Sequence, residues 1–171
     1  MTSVTMKLEG FAELDLQLEK LSKSAGKGVL RRSLKKAAEP MAEIARALAP
    51  DDPSSGGFDL RKSIKVGTRL SRSQKRAHRK MFRNDKASVE MFVGAGPLGQ
   101  AIYTEFGTAP FINGGHYAGT QNPGIRAQPY MRPAFESDKM AMLERLKSEL
   151  WSELKKSIIR ADRKAARAAR G

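Results

Sequence analysis

The sequence predicts an α+β fold: a small antiparallel sheet packed by amphipathic helices, with a long C-terminal helix. Three observations carry this reading. Apolar residues recur at helical spacing up to Leu48 and again after Pro133. The period falls to two only in the middle of the chain, around Ile64–Val66 and Val89–Val93. Helices at both ends with strands between them do not make the alternating pattern of a doubly wound parallel sheet.

The first helical pattern runs through Phe11, Leu14, Leu18 and Leu21, with Glu13, Asp15, Glu19 and Lys20 as solvated positions. Ser24, Gly26 and Gly28 interrupt it. A second stripe then joins Leu30, Leu34, Ala37, Met41, Ile44 and Leu48, with Arg31, Arg32, Lys35 and Lys36 off it. Pro40 lies inside that stripe and removes one backbone donor, so a kink or a division is expected there; Pro50 ends the run. Residues 51–57 read as a turn from their Asp, Pro, Ser and Gly content. The two period-two runs are read as strands that pair as an antiparallel hairpin across a long connection. Pro133 is expected to open the last helix, whose stripe is Leu143, Leu146, Leu150, Leu154 and Ile158, with Met140, Lys147 and Trp151 alongside. Residues 1–159 are read as one α+β domain and 160–171 as a basic Ala/Arg-rich tail. No internal repeat is visible.

The 171 residues carry a formal net charge of +14. Such a balance bears on partners and solubility, not on fold. Half of it sits in the connection between the strands, the basic excursion 69–87. There Arg69, Arg72, Lys75, Arg76, Arg79, Lys80, Arg83 and Lys86 face Asp85 alone, a net +7. A loop of this length is functional or mobile. A second basic stripe, Arg160, Arg163, Lys164 and Arg167 with Arg170 beyond, follows helical spacing in the tail. These two sets are the candidate contacts to DNA or to an acidic partner. Only Phe82 offers a ring within the excursion, a poor platform for stacking single-stranded bases.

The residues point away from catalysis. The chain has no cysteine, hence no thiolate nucleophile and no Cys-based zinc site. His78 and His116 lie in different loops without acidic or Cys neighbours at ligand spacing, so no metal site is expected. No catalytic residue is assigned. Gly94-Ala95-Gly96-Pro97-Leu98-Gly99 matches a dinucleotide-binding spacing, but the chain is acid-free from Phe106 to Phe135 and the following helical stretch, 100–106, is short for a crossover. The glycines are read as a turn leaving a strand, and no cofactor is expected. No apolar run approaches the ~20 residues of a membrane helix. No secretory signal opens the chain, so synthesis and assembly in the host cytoplasm, without membrane contact, is the expectation.

Two further segments are informative in combination. Tyr103-Thr104-Glu105-Phe106-Gly107-Thr108 places one acid between aromatics. Gln128-Pro129-Tyr130-Met131-Arg132-Pro133-Ala134-Phe135 frames an aromatic and a Met with two prolines before the long helix. The loop 109–126 between them has no assignment. With Ala49-Pro50 ending the front helix, Leu60-Arg61-Lys62-Ser63-Ile64 opening a strand and Val93-Gly94 closing one, the chain resembles the tail-component family of long-tailed bacteriophages, the head–tail joining or tail-completion (neck) proteins. The similarity spans about residues 10–154. It implies a virion protein at the head–tail junction, without enzymatic activity. Its partners would be copies of itself in a ring, six-fold by this resemblance, other neck and tail proteins, and genomic DNA in the channel. Tyr103, Glu105, Phe106, Gly107, Thr108, Pro129, Tyr130, Met131, Arg132 and Pro133 would then be structural or interface residues, with Tyr130, Met131 and Pro133 anchoring the long helix to the sheet. The basic excursion and the tail depart from the family pattern. A competing reading from charge alone is a sequence-nonspecific nucleic-acid-binding protein; an enzyme has no supporting constellation.

Overall fold

A computed structural model of the chain describes residues 23–50, 59–83, 89–96 and 98–168. The expected helix over Phe11–Leu21 and the turn 51–57 lie outside these residues, as do Lys86 and Arg170. The elements in order are α1 (Lys23–Leu48), α2 (Leu60–Ser63), β1 (Lys65–Gly67), α3 (Arg72–Met81), β2 (Phe92–Gly94), α4 (Gly99–Phe106), β3 (Phe111–Ile112), a 3-10 turn (Gly115–Tyr117), β4 (Gln121–Asn122) and α5 (Met131–Ala168). Two small antiparallel sheets and a long C-terminal helix give the α+β class expected from the sequence.

The body is an antiparallel pair of long helices. Val29 near the start of α1 packs on Leu150 and Leu154 of α5, while Met41, Ala42 and Ala45 near its end share a core with Tyr130 and Ala134 at the start of α5. Burial at this seam corrects two expectations and decides one alternative of a third. Helix α1 begins before Ser24, Gly26 and Gly28 and runs through all three. Glycine costs a helix interior roughly 1 kcal/mol, and burial of Val29 offsets that cost. The buried face is not the leucine stripe but Val29, Ser33, Ala37, Ala38, Met41, Ala42, Ala45 and Ala49; Leu48 is exposed. Small side chains let two helices approach closely, so the alanines take the inside and Leu30 and Leu34 flank them. Finally, Pro40 does not divide the helix, because the turns before and after it are both packed. The carbonyl that Pro40 leaves without a helical donor is that of Lys36; one residue on, the Ala37 carbonyl accepts from the Arg145 side chain (3.1 Å from its terminal nitrogen), which ties this turn to α5.

The buried polar groups at the seam are paired. Ser33 donates to the Glu149 carbonyl at 3.2 Å, and Asp138 accepts from Arg145. Glu153 is 4% exposed and accepts from Arg32 (2.6 Å) and Lys36 (2.9 Å). Those two cations, Arg32 first, hold its carboxyl well below the usual range, at about 2.

The sheet sits at the other end of the pair. Strands β1 and β2 pair with Val66 opposite Val93, the predicted hairpin trimmed to three residues each. Both valines pack against the Met41–Ala134 core beside fully buried Ile64. Arg46 donates to the Ile64 carbonyl (3.0 Å), and Arg61 donates to the Ala49 carbonyl (2.9 Å), tying the end of α1 to the hairpin. The glycine run leaves this antiparallel strand, and the Gly96 amide returns to the Ser63 carbonyl at 3.2 Å. A dinucleotide fold would need a parallel crossover at this point.

The connection between the strands is not a long loop. Residues 72–81 form helix α3, closed by a capping box in which Ser71 and Gln74 exchange bonds with each other's backbone amides. The segment 109–126 is a β-hairpin arm: Phe111 pairs with Asn122 and Ile112 with Gln121, and Thr108 and Ile125 bridge at its base. Helix α5 starts at Met131, two residues before Pro133, and continues through the expected tail to Ala168.

Candidate functional site

The two motif segments, 24 residues apart at their nearest bonded positions (Thr104 and Gln128), meet in space. Helix α4 carries Glu105 in its last turn, where a carboxylate is unfavourable for α4's own dipole. Its side chain instead points at the start of α5. One oxygen accepts from the amides of Tyr130 (2.8 Å) and Met131 (2.9 Å), and the other from Arg132 (3.0 Å). The next residue, Pro133, has no amide hydrogen, and the Ala134 amide closes the first helical bond to the Tyr130 carbonyl at 3.4 Å. Every backbone donor at the start of α5 is therefore satisfied or absent, with Glu105 doing from another helix what a local cap residue usually does. This explains why α5 begins before Pro133: the remote cap serves the first two amides, and proline fits where no donor is required.

Partial burial would raise the Glu105 carboxyl, but the three amide bonds and the nearby Arg132 outweigh it, and the group is held below the ordinary carboxylate value. Tyr130 is buried beside it, and its hydroxyl reaches the Ala101 carbonyl at 3.5 Å. Burial first, and the Glu105 charge second, push the phenol up. Met131 is partly buried against the core, whereas Pro133 is exposed.

Gly107 follows directly. Its φ of 71° with ψ of −178° is a region open essentially to glycine, and a Cβ there would lie 2.6 Å from the Ile125 carbonyl. Across the base of the arm, Gly124 (φ 79°) would place a Cβ 2.3 Å from the Thr108 carbonyl. The Gln128 amide donates to the Thr104 carbonyl at 2.7 Å. The motif thus builds one junction, in which α4 caps α5 and projects the arm.

What the junction displays is apolar. Ile102, Tyr103 and Phe106 of α4 are 52–65% exposed, and Phe111, Ile112, Tyr117 and Ile125 of the arm are 50–73% exposed. Of the thirteen exposed large hydrophobic residues among the described ones, these seven fall in one stretch of 24 residues. An open groove of about 580 Å³ runs along α4, lined by Val93, Leu98, Ile102, Phe106 and Met131 among others.

A family model described as "Bacteriophage HK97-gp10, putative tail-component" matches residues 12–107, over half of the chain. The chain belongs to this tail-component family. The protein is accordingly a structural part of the phage tail, with its place in the virion. The match covers α1 to α4 and ends at Gly107, so the second motif and all of α5 lie beyond it. No curated protein and no solved structure gives a significant match. No helix among the described residues is long and apolar enough to cross a membrane.

The basic residues of this tail component separate into two sites. Arg72, Lys75, Arg76, Arg79, Lys80 and Arg83 line one concavity on α3 and its C-terminal turn. The N-terminal turn of α3 shares the groove with the start of α5. Arg160, Arg163, Lys164 and Arg167 lie exposed on the last turns of α5, about 40 Å along that helix at 1.5 Å per residue. The structure does not bring the two sets together. The helix at 72–81 was legible in the spacing of its cations and in its Ser-x-x-Gln cap; the density of charge alone suggests a loop. His78, on the opposite face, stacks on Phe82 (4.8 Å between ring centroids), meets the Phe92 ring of β2 edge-on (5.2 Å) and lies 3.7 Å from Glu90. Arg69 stands exposed before the cap.

Proposed function

We propose that this tail component acts at the head–tail junction. It assembles there as a homo-oligomeric ring, six-fold in the leading form, and joins other neck and tail proteins. The observation that carries the reading is the apolar surface of α4 and the arm. A two-stranded hairpin is at best marginally stable alone, and the large side chains of this one are exposed among the described residues. Seven large aliphatic and aromatic side chains exposed within 24 residues are more than the singly scattered surface hydrophobics of an ordinary monomer. A neighbouring subunit is the natural cover, and head-to-tail repetition of such a contact closes a ring. Glu105, Gly107, Tyr130, Met131 and Arg132 build the junction, Phe106 is displayed by it, and Tyr103, Thr108, Pro129 and Pro133 flank it.

Electron microscopy of lysates from a phage lacking the gene tests the location. Filled heads beside unattached tails are expected; normal infectious particles would remove the joining role. Native mass spectrometry of the purified chain tests the ring. A single oligomer that Ile112→Ser disperses supports it, and a monomer at all concentrations in the presence of its tail partners sinks it.

A further inference from the structure

The net positive charge of a protein this basic is usually read as a general property of its surface, but here its largest part is organised. We infer that the basic face of α3 is a binding site for the phosphate backbone of duplex DNA. Arg72, Lys75, Arg76, Arg79 and Lys80 recur at three- and four-residue steps, which places them on one side of a helix, and Arg83 continues the stripe just past its end. None of the six has an ion-pair partner among the described residues, whereas Arg32, Lys36, Arg46 and Arg145 elsewhere all do. Five like charges on a short helix and a sixth just past it repel one another, and nothing in their packing explains them, since all are exposed. The helix keeps its form through the Ser71–Gln74 capping box and through His78, which faces β2 on the other side.

The chemistry of the stripe favours a duplex over other polyanions. It spans about 12 Å from Arg72 to Lys80, over which one DNA strand presents three to four phosphates. A protein partner would require an apolar centre within the contact, and the stripe has none; protein–DNA surfaces are polar and strongly positive. Single strands would need several stacking rings, and Phe82 is the single aromatic residue within 69–87. The contacts are to phosphate, so no base sequence is read. This site stands independently of the position of the protein along the tail axis.

Fluorescence anisotropy of the full chain with a random-sequence duplex of about 30 base pairs, across a salt series, tests the inference. Binding should weaken with salt, with a slope near −0.9 for each phosphate contacted. The variant R72Q/R76Q/R79Q/R83Q should bind at least tenfold more weakly and flatten the slope by about 3 to 4. The variant K27Q/R31Q/K35Q/K155Q removes the same charge from exposed positions on α1 and α5 and should change affinity less than threefold. Circular dichroism and melting temperature confirm that both variants fold. Equal losses in the two variants would overturn the site in favour of net charge. Poly-glutamate bound as tightly as the duplex would overturn it in favour of an acidic protein surface.

Discussion

The two halves of the molecule are finished to different degrees. At the α1–α5 seam, every described buried side-chain polar group has a partner and the apolar residues meet inside. At α4 and the arm the backbone is equally well ordered by hydrogen bonds, yet the large apolar side chains face outward. The seam is therefore built for the stability of one chain, and on the proposed function the arm is shaped in advance for contact with another. Ordering the arm before assembly lowers the entropy lost on binding.

Mutations should divide along the same line. The largest loss of monomer stability is expected from Leu154→Ala, which empties a site that is 1% exposed; chemical denaturation should show a cost of about 2–4 kcal/mol. Glu153→Gln comes next, at about 1–2 kcal/mol, because Arg32 and Lys36 lose their shared acid but still reach water. The pH dependence has a definite sign. The Glu153 carboxyl is lower when folded, so its contribution is full above its ordinary value of 4.5 and is lost as pH falls toward about 2. Acid titrations of stability should show this loss in the wild type and a smaller one in the Gln variant.

Glu105→Gln tests the junction itself. Removing the charge while leaving one acceptor oxygen should cost about 1 kcal/mol. Its folded carboxyl is also lowered, so the wild-type advantage should shrink as pH falls through that lowered value. Amide hydrogen exchange at Tyr130, Met131 and Arg132 should quicken in this variant; unchanged exchange would show that the remote cap is dispensable. The smallest effect on the monomer is expected from Ile112→Ser. Its side chain is 73% exposed, so denaturation should move by less than about 0.5 kcal/mol while assembly fails. A large loss of monomer stability in this variant would erase the contrast between the two regions.

Much of the fold is legible in the residues because it depends on near neighbours. Period-two alternation places Val66 and Val93 on one face, and they pair as that pattern requires. Helical periodicity finds α5 over most of its length. The reading of α1 fails at its edges and its face, since leucine counts for more than alanine in any hydrophobic pattern, while a close helix contact selects the smaller residue. The arm at 109–126 gives little local signal: its strands are two residues long, and its hydrophobics do not alternate into a core.

By itself the sequence determined the α+β order of elements, the central hairpin, the long last helix and the concentration of positive charge between the strands, all of them consequences of local spacing and composition. It also marked Glu105 as the lone acid ahead of an acid-free stretch. Only the tertiary structure decided what that acid does, because its amide partners lie 25 to 27 residues away and no periodicity links them. The tertiary structure likewise set the basic stripe of α3 apart from that at the end of α5 and left the large side chains of the arm exposed among the described residues, since both follow from where whole elements end and not from the residues within them.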